Sequence, residues 1–471
     1  MNRPIRRVAF VAMLMTLVLL LNVCVSYLVR QDSLNANPQN RRVTDAAFAQ
    51  DRGAILVGNT AIAQTVASKD QFKFQRRYPQ GTLYAPVTGF FSYNFGSSEL
   101  EQTYGAQLSG SDDSLFVNRL IDLATGSTPR GASVQTTLNA KAQKAAADAL
   151  GSKKGAVVAV NPSTGAILAM VTSPSFDPNN LATHQLSDAR ASWAKLTTDK
   201  NKPMANRAAR EIFPPGSTFK VVVSAAALEA GYEPDSVLDT SSYRLPGTNT
   251  TITSTCGSSQ TLKRALEVSC NSAFARLGVK LGADALREQS EKFGFGTKPL
   301  TDIPSVASRF PDEIDTPQTG LASIGGYDVA ATPLQMAMVA AAVRNDGIVM
   351  QPYLVESVRS ADLQLLSQTR PAQLSLANSA ANAAKLRQMM VGVVENGTGW
   401  RAQIAGVTVG GKTGTANSDN VRTPYAWFIA WADDPEVALC VFVQDAEMEA
   451  TDVAGGRVAA PIAKAVIEAL R

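Results

Sequence analysis

Histidine is almost missing from this chain: 471 residues carry one, His184. That scarcity excludes a Cys/His zinc cluster and an HExxH centre, and leaves one possible imidazole base for any serine or cysteine triad. Long basic runs interleaved with aromatics are missing too, and Lys plus Arg (44) barely exceed Asp plus Glu (40). Such a balance gives a nucleic-acid partner no support. No repeat of about 20 to 50 residues is visible, which argues against a solenoid or propeller. What the chain has is bulk, with 45% hydrophobic and 18% charged residues. It can bury a large core, holds more than one domain by its length, and is neither disordered nor fibrous.

One long uncharged run stands out, Val8 to Val29, preceded by Arg3, Arg6 and Arg7. As a helix it is long enough to cross a bilayer. The positive-inside rule then makes residues 1–7 a cytoplasmic tail, 8–29 a transmembrane signal anchor, and the rest extracytoplasmic, on a single-pass protein of the plasma membrane. A cleaved signal peptide fits less well, because the run is long and no Ala-x-Ala site follows. Lipidation at Cys24 is disfavoured by its neighbours Asn22 and Val23. Outside the cytoplasm a disulfide is permitted. The remaining cysteines, Cys256, Cys270 and Cys440, are odd in number, so at most one pair forms within the chain.

Residues 30–132 are polar and read as an extended, β-rich module, with a hairpin turn at Gly58 and Asn59 and a composition shift over Gly126 to Ser133. Residues 133–471 begin with an Ala-rich helix stopped at Gly151 and a hairpin turning at Asn161 to Gly165. A helical middle follows, then three strand candidates ("GVTVGGKTGTA", "YAWFIAWA", "EVALCVFVQDA") and a final helix. This order predicts an antiparallel sheet assembled from both ends of the domain, with helices on its faces. Within the helical middle, "ALEVSCNSAFARLG" reads as one amphipathic helix with Cys270 at its centre.

In "EIFPPGSTFKVVV", Ser217 and Lys220 are three apart at the start of a helix, which brings them to one face. A serine hydroxyl needs a base, and lysine serves as one only when desolvation or a second cation holds its amine neutral. SxxK alone is common and can be a capping serine followed by a surface lysine. Two further motifs decide between these readings. "SCN" (Ser269, Cys270, Asn271) offers a hydroxyl and an amide two apart, and "KTGT" (Lys412, Thr413, Gly414, Thr415) lies on an apolar strand. SxxK, SxN and KTG in this order are the signature set of serine acyl-transferases that react with penicillin.

The chain resembles the class B penicillin-binding proteins, and among them the actinobacterial penicillin-binding protein A type. "NRAAREIFPPGSTFK", "IGGYDVAATPLQMAMVAAAVRNDG", "VVENGTG" and "GGKTGTA" carry the resemblance, with "DRGAIL" and "RRYPQGTLYAPVTGFFS" in the N-terminal module. It implies an α/β (α+β) penicillin-binding transpeptidase, or serine β-lactamase-like, fold: an antiparallel sheet flanked by helices plus a helical subdomain. It further implies a membrane-anchored peptidoglycan D,D-transpeptidase without cofactor or metal. Its expected partners are stem peptides ending in D-Ala-D-Ala, β-lactams, the membrane, and proteins of cell wall synthesis and division. By the same resemblance Ser217 is the nucleophile and Lys220 its base, and Ser269 relays a proton to the leaving amine. Asn271 holds the substrate amide and Lys220. Lys412 depresses the Lys220 pKa and attracts the substrate carboxylate, which Thr413 and Thr415 bind across Gly414. The N–H groups of Ser217 and Thr415 form the oxyanion hole. A D,D-carboxypeptidase or β-lactamase with the same motifs, and an idle β-lactam-binding scaffold, are the alternatives.

Cys270 is then the middle of SxN and not the reacting atom. Cys256, fourteen positions earlier, is its expected disulfide partner, with two buried free thiols as the alternative. Cys440 reads as a buried strand thiol, and Trp427 and Trp431 as core or cleft lining. His184 is expected to be exposed or in the cleft without a catalytic duty, and Tyr327 is a candidate cleft residue.

Overall fold

The structure, a computed structural model, describes residues 3–30, 34, 41–116, 119, 122, 130–416, 424–447, 449 and 453–471. The apolar run forms helix α1 (Arg3–Leu28), none of whose residues is buried. Strands β1 (Ile55–Val57), β2 (Thr60–Ala67), β3 (Phe74–Arg77) and β4 (Ser133–Thr136) come next, then helix α2 (Ala140–Leu150) and the hairpin β5 (Lys154–Val160) and β6 (Ile167–Ser173). Helices α3 (Lys220–Glu229), α4 (Leu262–Glu267), α5 (Asn271–Leu281) and α6 (Pro333–Arg344) lead to strands β7 (Val355–Arg359) and β8 (Leu365–Gln368). Helix α7 (Ala380–Glu395), strands β9 (Val409–Ala416), β10 (Tyr425–Ala432) and β11 (Val437–Asp445), and helix α8 (Gly455–Ala469) close the chain.

The sheet that carries the site has the order β9-β10-β11-β5-β6 and is antiparallel throughout, so it is indeed assembled from both ends of the domain. All eight residues of β10 are buried, because both faces of the sheet are covered. Helix α6 packs on one face, and α2 and α8 on the other. Side-chain alternation sorts β10 between them. Trp427, Ile429 and Trp431 join Met336, Ala340 and Phe442 in one core, whereas Phe428 and Ala430 join Val458 and Ile462 in the other. The two tryptophans are therefore core residues and do not line the cleft. Cys440 sits in the first core, where burial pushes its thiol well up from the ordinary value.

The second sheet has the order β8-β7-β4-β1-β2-β3, and three of its six strands, β4, β7 and β8, come from beyond residue 132. Strand β1 pairs parallel with β4, Ile55 opposite Val134. Beside this sheet the fully buried Glu101 accepts from Arg52 Nε and Arg76 Nε, both at 2.6 Å, and from the Tyr78 hydroxyl at 3.1 Å. Its neighbour Glu99 pairs at 3.2 Å with Arg210, seven residues before Ser217, and burial pushes this carboxyl up to about 7.

The segment read as one helix over 265–278 is two. Helix α4 stops at Glu267, Ser269 takes a left-handed φ of 60°, and Cys270 is the N-cap of α5. The break has a local cause: the Ser269 and Cys270 N–H groups turn back onto Leu266 O and Ala265 O, closing α4. It also has a consequence, since the turn lets Ser269 and Asn271 reach the same lysine. Cys270 is bonded to Cys256, with the Cα atoms 6.0 Å apart. Closing a loop of this length stabilises by about 3 kcal/mol on the chain-entropy account. Thiol titration of the denatured, unreduced chain lacking α1 should find one free thiol, Cys440. A count of three means that the bond is not made in the protein.

Candidate active site

Three segments converge. Pro214 and Pro215 rule out a helix before Gly216, which takes φ +53° and donates its N–H to Gly325 O at 3.1 Å. A Cβ at Gly216 would meet Thr415 O at 2.9 Å, so only glycine lets this turn lie against β9. Gly414 does the same from the other side, because a Cβ there would meet Pro215 O at 2.9 Å. The short 3-10 turn Gly216–Phe219 presents Ser217 half-exposed and runs into α3, whose first residue, Lys220, is fully buried.

Lys220 Nζ lies 2.7 Å from Ser269 O, 2.6 Å from Asn271 Oδ1 and 3.3 Å from Ser269 Oγ. Lys412 Nζ donates to Ser269 Oγ at 2.8 Å and to Thr413 O at 2.9 Å. Burial, and then the charge of Lys412, hold the Lys220 amine well below its ordinary value, and burial brings Lys412 down to about 7. A neutral Lys220 amine has two hydrogens. Ser269 O and Asn271 Oδ1 can only accept, so both hydrogens are committed to them and the lone pair is left to take a hydroxyl proton.

The cleft over these groups has a volume of about 610 Å³ and is lined by Ser217, Ser269, Asn271, Thr413 and Thr415. Thr413 and Thr415, two apart on one strand, share its β9 wall. Every predicted site residue named from the three motifs therefore belongs to this one cluster, with Cys270 buried just behind it. Lys412 is fully buried under the cleft floor, and Gly414, within β9, packs against Pro215. Tyr327 does not belong: it lines a separate hollow with Arg309 and Phe310. Nor does His184, which is bonded through Nδ1 to the Asp70 side chain and tilted against the Phe72 ring.

Sequence reasoning missed part of the cleft. Thr398 shares a 2.6 Å hydroxyl contact with Thr413, and Trp400, Arg401 and Arg457 line the same space. The signal available was the glycine-broken stretch "NGTGWR" between α7 and β9. Gly456 packs there so tightly that a Cβ would meet Thr398 O at 2.2 Å.

The sequence matches the family described as penicillin binding protein transpeptidase domain over residues 155–468, and penicillin binding protein A dimerisation domain over 52–134. The chain belongs to the penicillin-binding protein transpeptidases. It is a class B penicillin-binding protein of the actinobacterial A type. The peptidoglycan D,D-transpeptidase PbpA of Mycolicibacterium smegmatis is 44% identical over 100% of this chain and 99% of the relative. The PbpA of Mycobacterium tuberculosis is 42% identical over the same shares. A solved structure of penicillin-binding protein A from M. tuberculosis, a ceftriaxone acyl-enzyme complex, superposes with a TM-score of 0.87 at 41% identity. That match covers 90% of this chain and 99% of the other.

Proposed function

We propose that this penicillin-binding protein, a peptidoglycan D,D-transpeptidase of cell wall synthesis, works through an acyl-enzyme on Ser217. One observation carries the assignment: the Lys220 and Lys412 amines meet at Ser269, with the Lys220 amine, three residues after Ser217, held well below its ordinary pKa by burial and by the charge of Lys412. Ser217 Oγ attacks the carbonyl of the penultimate D-Ala, and its proton passes to the Lys220 lone pair. The developing oxyanion is held by the N–H groups of Ser217 and Thr415. The proton then travels through Ser269 to the leaving nitrogen, the C–N bond breaks, and D-Ala departs. Asn271 holds the donor amide. Lys412, Thr413 and Thr415 hold the terminal carboxylate. An amine of a neighbouring stem peptide attacks the ester, the bond to Ser217 breaks, and the serine recovers its proton.

Arg3, Arg6 and Arg7, in the first turns of α1 and ahead of its apolar run, favour a cytoplasmic N-terminus and an extracytoplasmic cleft. Proteins of wall synthesis and division are its expected partners, met through α1 and residues 52–134, since the cleft is reserved for peptide. The relatives' structures include acyl-enzymes of ceftriaxone, imipenem and penicillin G, which favours a long-lived ester over a hydrolase. Mixed with a fluorescent penicillin, the purified protein should be labelled one-to-one and release the drug slowly. Rapid steady-state drug turnover would instead make it a β-lactamase.

A further inference from the structure

Trp400 is 54% exposed at the wall of a cleft, an unusual place for so large an apolar ring. It is not loosely held. The 3-10 turn Trp400–Ala402 is anchored by the fully buried Ala402 and packs on α8. Gly399 N–H donates to Val393 O at 2.9 Å, and Thr398 N–H to Glu267 O at 3.2 Å. The Arg401 guanidinium lies over the Trp400 ring, 4.5 Å from its centroid. A flat cation on a fixed aromatic ring is a preorganised receiver for an anionic, partly apolar group.

The strand direction says which part of the substrate comes here. Gly216 abuts Thr415 and Ala416, so the scissile carbonyl lies at that end of β9. Thr413 is two residues back, about 7 Å away at the usual strand rise. Thr398 touches Thr413, and Trp400 and Arg401 follow it. This is the side on which the terminal D-Ala leaves. The bond made in cross-linking is of the same kind as the bond broken, so the incoming amine takes the place that the leaving amine vacates. Among the described lining residues no Asp or Glu is present, while Arg401 and Arg457 are.

We infer that Trp400 and Arg401 form the docking surface for the acceptor stem peptide. The acceptor selected is one whose attacking amine sits beside a carboxylate, as in the departing D-Ala, and which carries a further carboxylate for Arg401. In the step itself the acceptor nitrogen bonds the ester carbon, the C–O bond to Ser217 breaks, and the amine proton returns to Ser217 Oγ by way of Lys220. The inference rests on the Ser217 acyl-enzyme, and its test separates the two.

The full-length protein is given a D-alanyl thioester donor, with D-glutamate or D-glutamine as acceptor and water as the internal competitor. The quantity read is the ratio of aminolysis to hydrolysis product. A slower acylation lowers both products together and leaves that ratio where it was. Arg401→Gln should lower the ratio for D-glutamate about tenfold, the scale of one charge-assisted hydrogen bond, and that for D-glutamine less than about twofold. Arg401→Lys should recover part of the D-glutamate ratio, and Trp400→Leu should lower both. Equal changes with the two acceptors in Arg401→Gln, or none, overturn the inference. Absence of any acyl-enzyme overturns the Ser217 assignment instead.

Discussion

Ser217→Ala protein should show no covalent labelling by a fluorescent penicillin, a loss on the order of 10⁶-fold if it follows other serine acyl enzymes stripped of their nucleophile. The fold gives no reason for the variant to misfold. Ser217 lies in a turn held by the Gly216 N–H and by Thr218 Oγ1, which donates to Pro215 O at 2.7 Å, and among the described residues no hydrogen bond uses Ser217 Oγ. Its melting temperature should therefore match that of the parent, which separates loss of chemistry from loss of structure. The same variant should fail to support growth of cells that depend on this protein. Labelling at the parental rate would place the nucleophile elsewhere, and full complementation would make the protein a scaffold.

Acylation by penicillin should follow a bell-shaped pH profile, because the proposed mechanism needs the two lysines in opposite states. Lys220 must be neutral to accept a proton. Burial and the charge of Lys412 hold its pKa well below the ordinary lysine value, and the amine becomes charged as the pH falls through that lowered value, which sets the acid limb. Lys412 must be charged to hold the substrate carboxylate. With its pKa brought to about 7, it loses that charge as the pH rises above neutrality, which sets the alkaline limb. Lys412→Met removes one partner of the coupling. The acid limb should then move to higher pH, since the charge depressing Lys220 is gone, and the alkaline limb should disappear. The rate at neutral pH should fall about 10²- to 10³-fold, the scale of losing one preorganised group at a developing charge. Stopped-flow acylation from pH 4 to 10 reads all three effects. An acid limb that stays in place would show that the lysines do not sense each other.

The sheet and the three motifs were legible in the sequence for two different reasons. Strand β10 and the first seven residues of β11 are apolar because helices cover both faces, and that leaves an uncharged signature. The motifs are visible because their chemistry needs particular residue types within a few positions of each other. What escaped depends on the closed fold. The left-handed φ of Ser269 has no glycine to announce it, and it was lost inside an apparently continuous helical period. Thr398 matters only because it meets Thr413 across a break between α7 and β9. Tyr327 follows two glycines that look like a cleft loop, yet the glycine backbone is used to carry Gly325 against Gly216, and the tyrosine beyond it turns elsewhere. The pairing of β1 with β4 was hidden as well, since a parallel neighbour so far along the chain has no local mark.

That mixed sheet also sets an order of events during synthesis. Strands β1 to β3 find β4 within the first 136 residues, but the other edge of β4 is covered only by β7, which begins at Val355. At about 5–20 residues per second the nascent chain carries a bare strand edge for on the order of ten seconds or more. An uncovered edge of this kind is a template for pairing with another chain. A holding chaperone has its reason to bind there, and overproduced protein has its reason to aggregate there, well before the acylation cleft exists.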